Sequence, residues 1–204
     1  MTKQSIISFA AAALAVCLMA VASGAEISPG EKAPAFTARA ADGSTVALSS
    51  LKGKTVVLDW ANYGCPFDHM HYSSGNIPRL QQKYTAKGVV WLSVMSSAPG
   101  KEGYYTQDEL KMQDAKNNNH ATYVLMDGDG KIGHLYDAKT TPHIFVIDSN
   151  GIVQYNGAID SMPSTDPQTL ANAIPYAANA IDAVIKGKTP NPAFIPPYGC
   201  SVKY

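Results

Sequence analysis

The chain has 204 residues, and its 16 Lys and Arg are balanced by 16 Asp and Glu. That balance excludes a basic stripe for nucleic acid and a polybasic patch for a membrane surface. The length suits one domain with a substantial core.

From the N-terminus, Lys3 precedes an apolar run over Ile6 to Val21, and small residues follow as Ala22-Ser23-Gly24-Ala25. This pattern predicts a secretory signal over residues 1–25, cleaved after Ala25, which takes Cys17 with it. The remainder, at 15 basic against 16 acidic residues once Lys3 is lost, is expected to be exported to a periplasmic or secreted location with no stable membrane insertion. Such a compartment is oxidising, so Cys65 and Cys200 can pair there.

Ala33–Thr37 reads as extended, and Asp42-Gly43 as a turn into Thr45–Leu48. Thr55–Trp60 is a β-branched apolar run, the pattern of a strand buried on both faces. Pro66 predicts a helix start, and Gly75 to Pro78 should interrupt that helix before Arg79–Ala86. Val89–Met95 and Tyr123–Met126 read as buried strands, with helices over Gln107–Lys116 and Lys131–Tyr136. His143–Asp148 and Ile152–Asn156 form a hairpin around Ser149-Asn150-Gly151. A last helix is predicted over Pro167–Lys186. The alternation gives an α/β fold with a central mixed β-sheet flanked by helices over residues 26–187. Residues 188–204, with Pro190, Pro192, Pro196 and Pro197, form an extended Pro-rich C-terminal arm carrying Cys200. Twelve residues of such an arm span up to ~37 Å, enough to reach Cys65 on the same domain.

The chemistry concentrates at Cys65, between a buried strand and a proline that opens a helix. Pro66 at the first helical position leaves Cys65 as the cap residue, where helix-end dipoles favour the thiolate. Asp68, one turn on, opposes ionisation, and His69 at i+4 can offset it. Trp60 and Tyr63 are expected to wall the pocket. Cys65 is the candidate nucleophile and Cys200 the candidate resolving thiol, which would condense with a sulfenic acid at Cys65. A bridge between them would close a loop of about 135 residues, worth up to ~5 kcal/mol in the chain-entropy model. A structural staple and a bond between two chains are the competing readings of that pair.

Val56–His71, together with Asp127-Gly128-Asp129-Gly130-Lys131, Tyr136, Thr141-Pro142-His143-Ile144-Phe145-Val146-Ile147-Asp148 and Gly151, resembles the thioredoxin superfamily. The similarity is to its redoxin (AhpC/TSA, peroxiredoxin-like) branch and to exported bacterial members, over about Ile27 to Lys186. The resemblance implies a thioredoxin-like fold, with Pro142 cis and facing Cys65. It places Thr141 and Pro142 at a substrate groove, with Asn62, Tyr63, Asp68 and His69 as the cysteine's environment. It implies a thiol-dependent oxidoreductase of antioxidant type without a cofactor, acting on a thiol or disulfide protein or a peroxide and reset by an external reductant. The chain departs from the pattern at instructive places. Asp68 stands where a Cys-x-x-Cys motif has its second cysteine. Leu58 and Asn62 stand where peroxiredoxins have Pro and Thr, and neither Arg39 nor Arg79 lies where that family has its arginine.

Two other classes fit the same residues. Cys65 and His69, with His143 after the expected cis-proline, could share copper in the manner of a Sco-like metal carrier. A non-catalytic redoxin-fold binding module would need none of this chemistry. Asp127-Gly128-Asp129-Gly130 reads as a turn, because Lys131 and Ala138 occupy positions where a calcium loop needs ligands.

Overall fold

The computed structural model describes residues 27–204, so the expected signal segment over 1–25 lies outside the described residues. Thr37–Ala40 (β1) and Thr45–Ala47 (β2) form a hairpin, and Val56–Trp60 (β3) then enters the middle of the sheet. Pro66–Ser73 (α1) and Asn76–Thr85 (α2) follow, then Val90–Met95 (β4) and Gln107–Lys116 (α3). Tyr123–Met126 (β5), Lys131–Tyr136 (α4), Thr140–Thr141 (β6), His143–Ile147 (β7) and Val153–Gly157 (β8) continue the chain. Tyr176–Val184 (α5), Phe194–Ile195 (β9) and Cys200–Ser201 (β10) complete it.

Among the described residues the main sheet has the order β2-β1-β5-β4-β3-β7-β8-β9, and β10 pairs separately with β6. β3 runs parallel to β4 and antiparallel to β7, so the sheet is mixed as expected. Every residue of β3, β4 and β7 is buried, which accounts for their largely apolar sequences. Alternate residues feed two cores. Val57, Trp91, Ile144, Val146 and Tyr155 meet residues of α1, α2, α3 and α5 on one face. Val56, Leu58, Trp60, Leu92, Phe145 and Val153 meet Ile132 and Tyr136 of α4 on the other.

Two helix boundaries differ from the sequence reading. α2 begins at Asn76, because Gly75 turns the chain at φ 73° and Pro78 falls in the first helical turn, where its missing N–H leaves no bond unmade. The single helix expected over Pro167–Lys186 is split into a 3₁₀ turn at Pro167–Asn172 and α5. Pro175 separates them, since the residue before a proline is disfavoured in the helical region. α3 follows the predicted span and carries a capping box between Thr106 and Glu109.

The arm is extended, and it is also bonded to the body. β9 adds to β8 in parallel, with Asn156 opposite Phe194 and Gly157 opposite Ile195. A Cβ on Gly157, whose φ is 152°, would overlap the Ile195 carbonyl oxygen. Gly157→Ala is therefore expected to displace β9 and lower stability by about 1–3 kcal/mol, read as a lower urea midpoint. An unchanged midpoint would show that β9 contributes nothing to the fold.

Candidate active site

β3 ends at Trp60, and residues 61–65 carry the chain to α1 through a loop organised by Asn62. Its carbonyl accepts from the Cys65 N–H at 2.9 Å, and its Oδ1 accepts from the Gly64 N–H at 2.8 Å. The Asn62 N–H donates to Asp68 Oδ2 at 2.5 Å, and its Nδ2 donates to the Glu102 carbonyl at 3.4 Å. Tyr63 fixes the same loop to α3: its hydroxyl donates to Asp114 Oδ1 at 2.6 Å and accepts from Asn119 Nδ2 at 2.6 Å. Cys65 is the cap residue of α1, with Pro66 at the first helical position.

The Cys65 side chain is fully buried, and protein polar groups converge on it. Its thiol donates to the Thr141 carbonyl at 3.2 Å. Burial pushes the thiol toward protonation, but hydrogen bonds to the thiolate outweigh it and leave the pKa below the ordinary value. They come, in order of weight, from the Cys200 thiol, the Asp68 N–H, the Thr141 hydroxyl and the Cys200 N–H. The Thr141 hydroxyl is buried without another partner, so a thiolate gives it one. Cys200 is affected oppositely: burial first, then its bond to Cys65, pushes its thiol up to about 12. The two shifts are opposed, so Cys65 is the more readily ionised thiol of the pair.

Cys200 arrives by strand pairing. Cys200 lies opposite Thr141 and Ser201 opposite Thr140, antiparallel, immediately before the cis Thr141–Pro142 bond. The thiol from the C-terminal arm therefore approaches Cys65 from the strand beside Pro142. Asp68 lies behind Cys65 on α1, where a Cys-x-x-Cys motif would present its second sulfur.

Two carboxyls lie buried in this region. Asp59 follows Val57 on the face of β3 that meets α1 and α2, and its Oδ2 accepts from Trp91 Nε1 at 3.2 Å. Burial raises its pKa to about 7. Burial, and then the charge of Asp59, raise Asp68 well above the usual carboxylate range. Each keeps one oxygen without a hydrogen-bond partner.

Some expected site residues lie elsewhere. His69 is exposed and faces solvent; only its N–H contributes locally, donating to the Cys65 carbonyl at 2.8 Å, so it does not offset Asp68. His143 is buried with both nitrogens engaged, Nδ1 accepting from the Lys139 N–H at 3.2 Å and Nε2 meeting Asn156 Oδ1 at 2.6 Å. Cys65, His69 and His143 therefore do not form a copper site, and among the described residues no group of three His, Cys, Asp or Glu could hold a metal ion. Trp60 Nε1 donates to Ser96 Oγ at 3.1 Å on the far face of the sheet, so it does not wall the cysteine. Asp127 accepts from Ser96 Oγ and from the Ile132 and Gly133 N–H groups, which makes the Asp127–Gly130 turn the start of α4. Arg39 bonds to Gln107 and Arg79 to the Ser74 carbonyl.

Sequence reasoning gives His71 a local hydrogen bond, which Asn76 supplies, but misses its link to Tyr198 and Asp160. Tyr198 Oη donates to Asp160 Oδ1 at 2.6 Å and meets His71 Nε2 at 3.2 Å. Asn76 Nδ2 lies 2.8 Å from His71 Nδ1, which fixes Nε2 as the protonated nitrogen that donates to Tyr198. Burial lowers the His71 pKa to about 4, so the ring is neutral at physiological pH. A tyrosine two residues before a candidate cysteine was the available signal, but its partners lie 127 and 38 residues away.

Because folding raises the Asp59 pKa, the native state holds a proton that the unfolded chain releases above its pKa of about 3.9. Stability from this group falls as pH rises toward about 7, where the folded carboxyl ionises. Asp59→Asn is expected to be more stable than wild type at pH 8, with the gap between their urea midpoints opening from about pH 4 upward. A gap independent of pH would contradict the raised pKa.

Residues 28–174 match the family model described as Redoxin. Among solved structures, the fold is similar to a protein from Sinorhizobium meliloti, with a TM-score of 0.72 and 20% identity over 88% of this chain and 96% of that one. It is similar to an uncharacterised conserved protein from Geobacillus kaustophilus, with a TM-score of 0.71 and 23% identity over 86% and 92% of the two chains. The thioredoxin domain of a thiol-disulfide oxidoreductase from Bacteroides vulgatus has a TM-score of 0.50 and 21% identity over 63% and 86%. At these identities the likeness is one of fold, and it agrees with the thioredoxin-like architecture expected from the sequence. No curated protein matched the chain. The family match spans both the strand that delivers Cys65 and the cis Thr141–Pro142 step whose carbonyl meets its thiol, and the chain belongs to the redoxin family.

Proposed function

We propose that the protein is a thiol-dependent oxidoreductase in which Cys65 is the nucleophile and Cys200 the resolving thiol. The observation that carries this reading is the strand pairing that sets Cys200 opposite Thr141, whose carbonyl accepts from the Cys65 thiol, with the Cys65 pKa lowered and the Cys200 pKa raised. A structural cysteine needs neither an ionised partner nor a proton held beside it.

With a disulfide substrate, the Cys65 thiolate attacks one sulfur and forms a mixed disulfide while the other sulfur departs. The Cys200 proton, no longer held toward Cys65, passes to that leaving thiolate. The Cys200 thiolate then attacks Cys65, forms the Cys65–Cys200 bond and releases the second substrate thiolate, which takes a proton from solvent. The substrate gains two electrons and the protein loses two. With a hydroperoxide, the Cys65 thiolate takes the terminal hydroxyl to become a sulfenic acid, and the departing alkoxide or hydroxide takes a proton from solvent and leaves as an alcohol or water. Cys200 then condenses with the sulfenic acid, expelling water. In either case an external dithiol resets the pair. Thr141 and the Asp68 N–H hold the thiolate, and Asn62 holds the loop that positions it. Pro142 and β6 shape the groove. Residues 1–25 are proposed to direct export, which would supply an oxidising setting for this pair. No helix among the described residues is long and apolar enough to cross a membrane.

Cys65→Ser is expected to abolish oxidant-dependent turnover with dithiothreitol as reductant. The sharper test is the pH dependence of iodoacetamide labelling at Cys65 in reduced protein, followed by peptide mapping. Wild type should reach half-maximal rate below the ordinary thiol value of about 8.5. Cys200→Ala removes the thiol donor, so the midpoint should rise, by about one pH unit. Identical midpoints in the two proteins would show that the sulfurs do not share a proton, and the dithiol reading would fall.

A further inference from the structure

The segment that carries Cys200 also covers Cys65. Resting on the redox reading above, we infer that Tyr198–Tyr204 is a latched cover that confines this site to small oxidants, with Tyr198 as the specificity-determining residue.

The cover lies along β6, with Cys200 and Ser201 opposite Thr141 and Thr140. Beside them Gly199, at φ 131°, packs so closely that a Cβ would overlap the Thr141 carbonyl oxygen. An incoming polypeptide strand therefore finds this edge filled by the chain's own backbone, and Cys65 beneath it is 0% exposed.

The segment is fastened on both sides of Cys200. Upstream, Tyr198 donates to Asp160 and accepts from His71, and its ring meets the edge of Phe67 on α1 at 5.9 Å between centroids. Downstream, the Val202 N–H donates to the Lys139 carbonyl at 3.1 Å, and the Lys203 carbonyl accepts from the Ala98 N–H at 2.7 Å. Tyr204 stacks on His134 at 3.9 Å and donates to the Ala138 carbonyl at 3.0 Å. Asp160 and His71 are both buried, so losing the Tyr198 hydroxyl leaves His71 Nε2 without its partner and Asp160 Oδ1 with the Met162 N–H alone.

These anchors make two kinds of opening unequal. A hydroperoxide or a low-molecular-weight disulfide needs only the three residues around Cys200 to shift while both anchors hold. A protein disulfide must lay its own backbone along β6, which requires the upstream latch to release. Weakening that latch should therefore change reactivity toward large substrates far more than toward small ones.

The test compares reduced full-chain wild type with Tyr198→Phe, which keeps the ring against Phe67 and removes only the hydroxyl. Formation of the Cys65–Cys200 bond is followed by mass spectrometry with three oxidants: hydrogen peroxide, cystamine and insulin. Wild type should react with at least one small oxidant much faster than with insulin. Tyr198→Phe should narrow that ratio about tenfold, the scale of one hydrogen bond to a charged group. Tyr204→Ala, which loosens the other anchor, should narrow it in the same direction. Insulin reacting as fast as the faster small oxidant in wild type would overturn the inference, as would a ratio unmoved by either variant, with the redox reading left intact. Failure of Cys65 to oxidise with any of the three, in all three proteins, would remove both.

Discussion

The arrangement depends on a two-residue antiparallel pairing between the C-terminal arm and the strand before Pro142. Without it Cys200 would trail on a flexible arm, and Cys65 would lose its strongest thiolate-stabilising partner. Because the pairing is so short, its backbone bonds cannot hold the arm alone. Side-chain anchors on either side, Tyr198 against His71 and Asp160 and Tyr204 against His134, supply what the strand lacks. A sulfur 135 residues downstream thereby meets Cys65 from the β6 side, where a Cys-x-x-Cys motif would present one from the first turn of the helix itself.

That difference of source changes the surroundings of Cys65. In this chain the third position after Cys65 carries Asp68, whose backbone N–H supports the thiolate while burial raises its carboxyl well above the usual carboxylate range. A second buried acid, Asp59, lies on the strand that delivers Cys65. Two acids in a low-dielectric site do not both ionise readily, so their cost to folding grows with pH. With the second sulfur on the arm, this helix position holds an acid instead.

Much of the fold was legible because its signals are local. The β-branched runs of β3, β4 and β7 announce buried strands, and Pro66 and Thr106 mark helix starts. Cys65 was legible for the same reason, since strand, cysteine and proline are contiguous. Pro175 shows where local reading slipped: the residues around it look helical, and the proline alone divides them. β6, β9 and β10 have two residues each, too short for any periodicity, and exist only through partners distant in sequence. The same holds for the Tyr198 latch, whose members come from α1, the loop after β8 and the arm. His69 misled because i+4 spacing gives a shared face only inside a helix, and Cys65 is its cap, outside the helical turn.

The central claim is that Cys65 and Cys200 of one chain form a redox pair. It is tested most directly by treating the fully reduced protein with one equivalent of hydrogen peroxide and mapping its peptides without reduction. The account predicts a peptide pair joined through Cys65 and Cys200, carried at the mass of a single chain and lost on adding dithiothreitol. Two free thiols after oxidant is consumed, or a bridge found only at the mass of two chains, would contradict it.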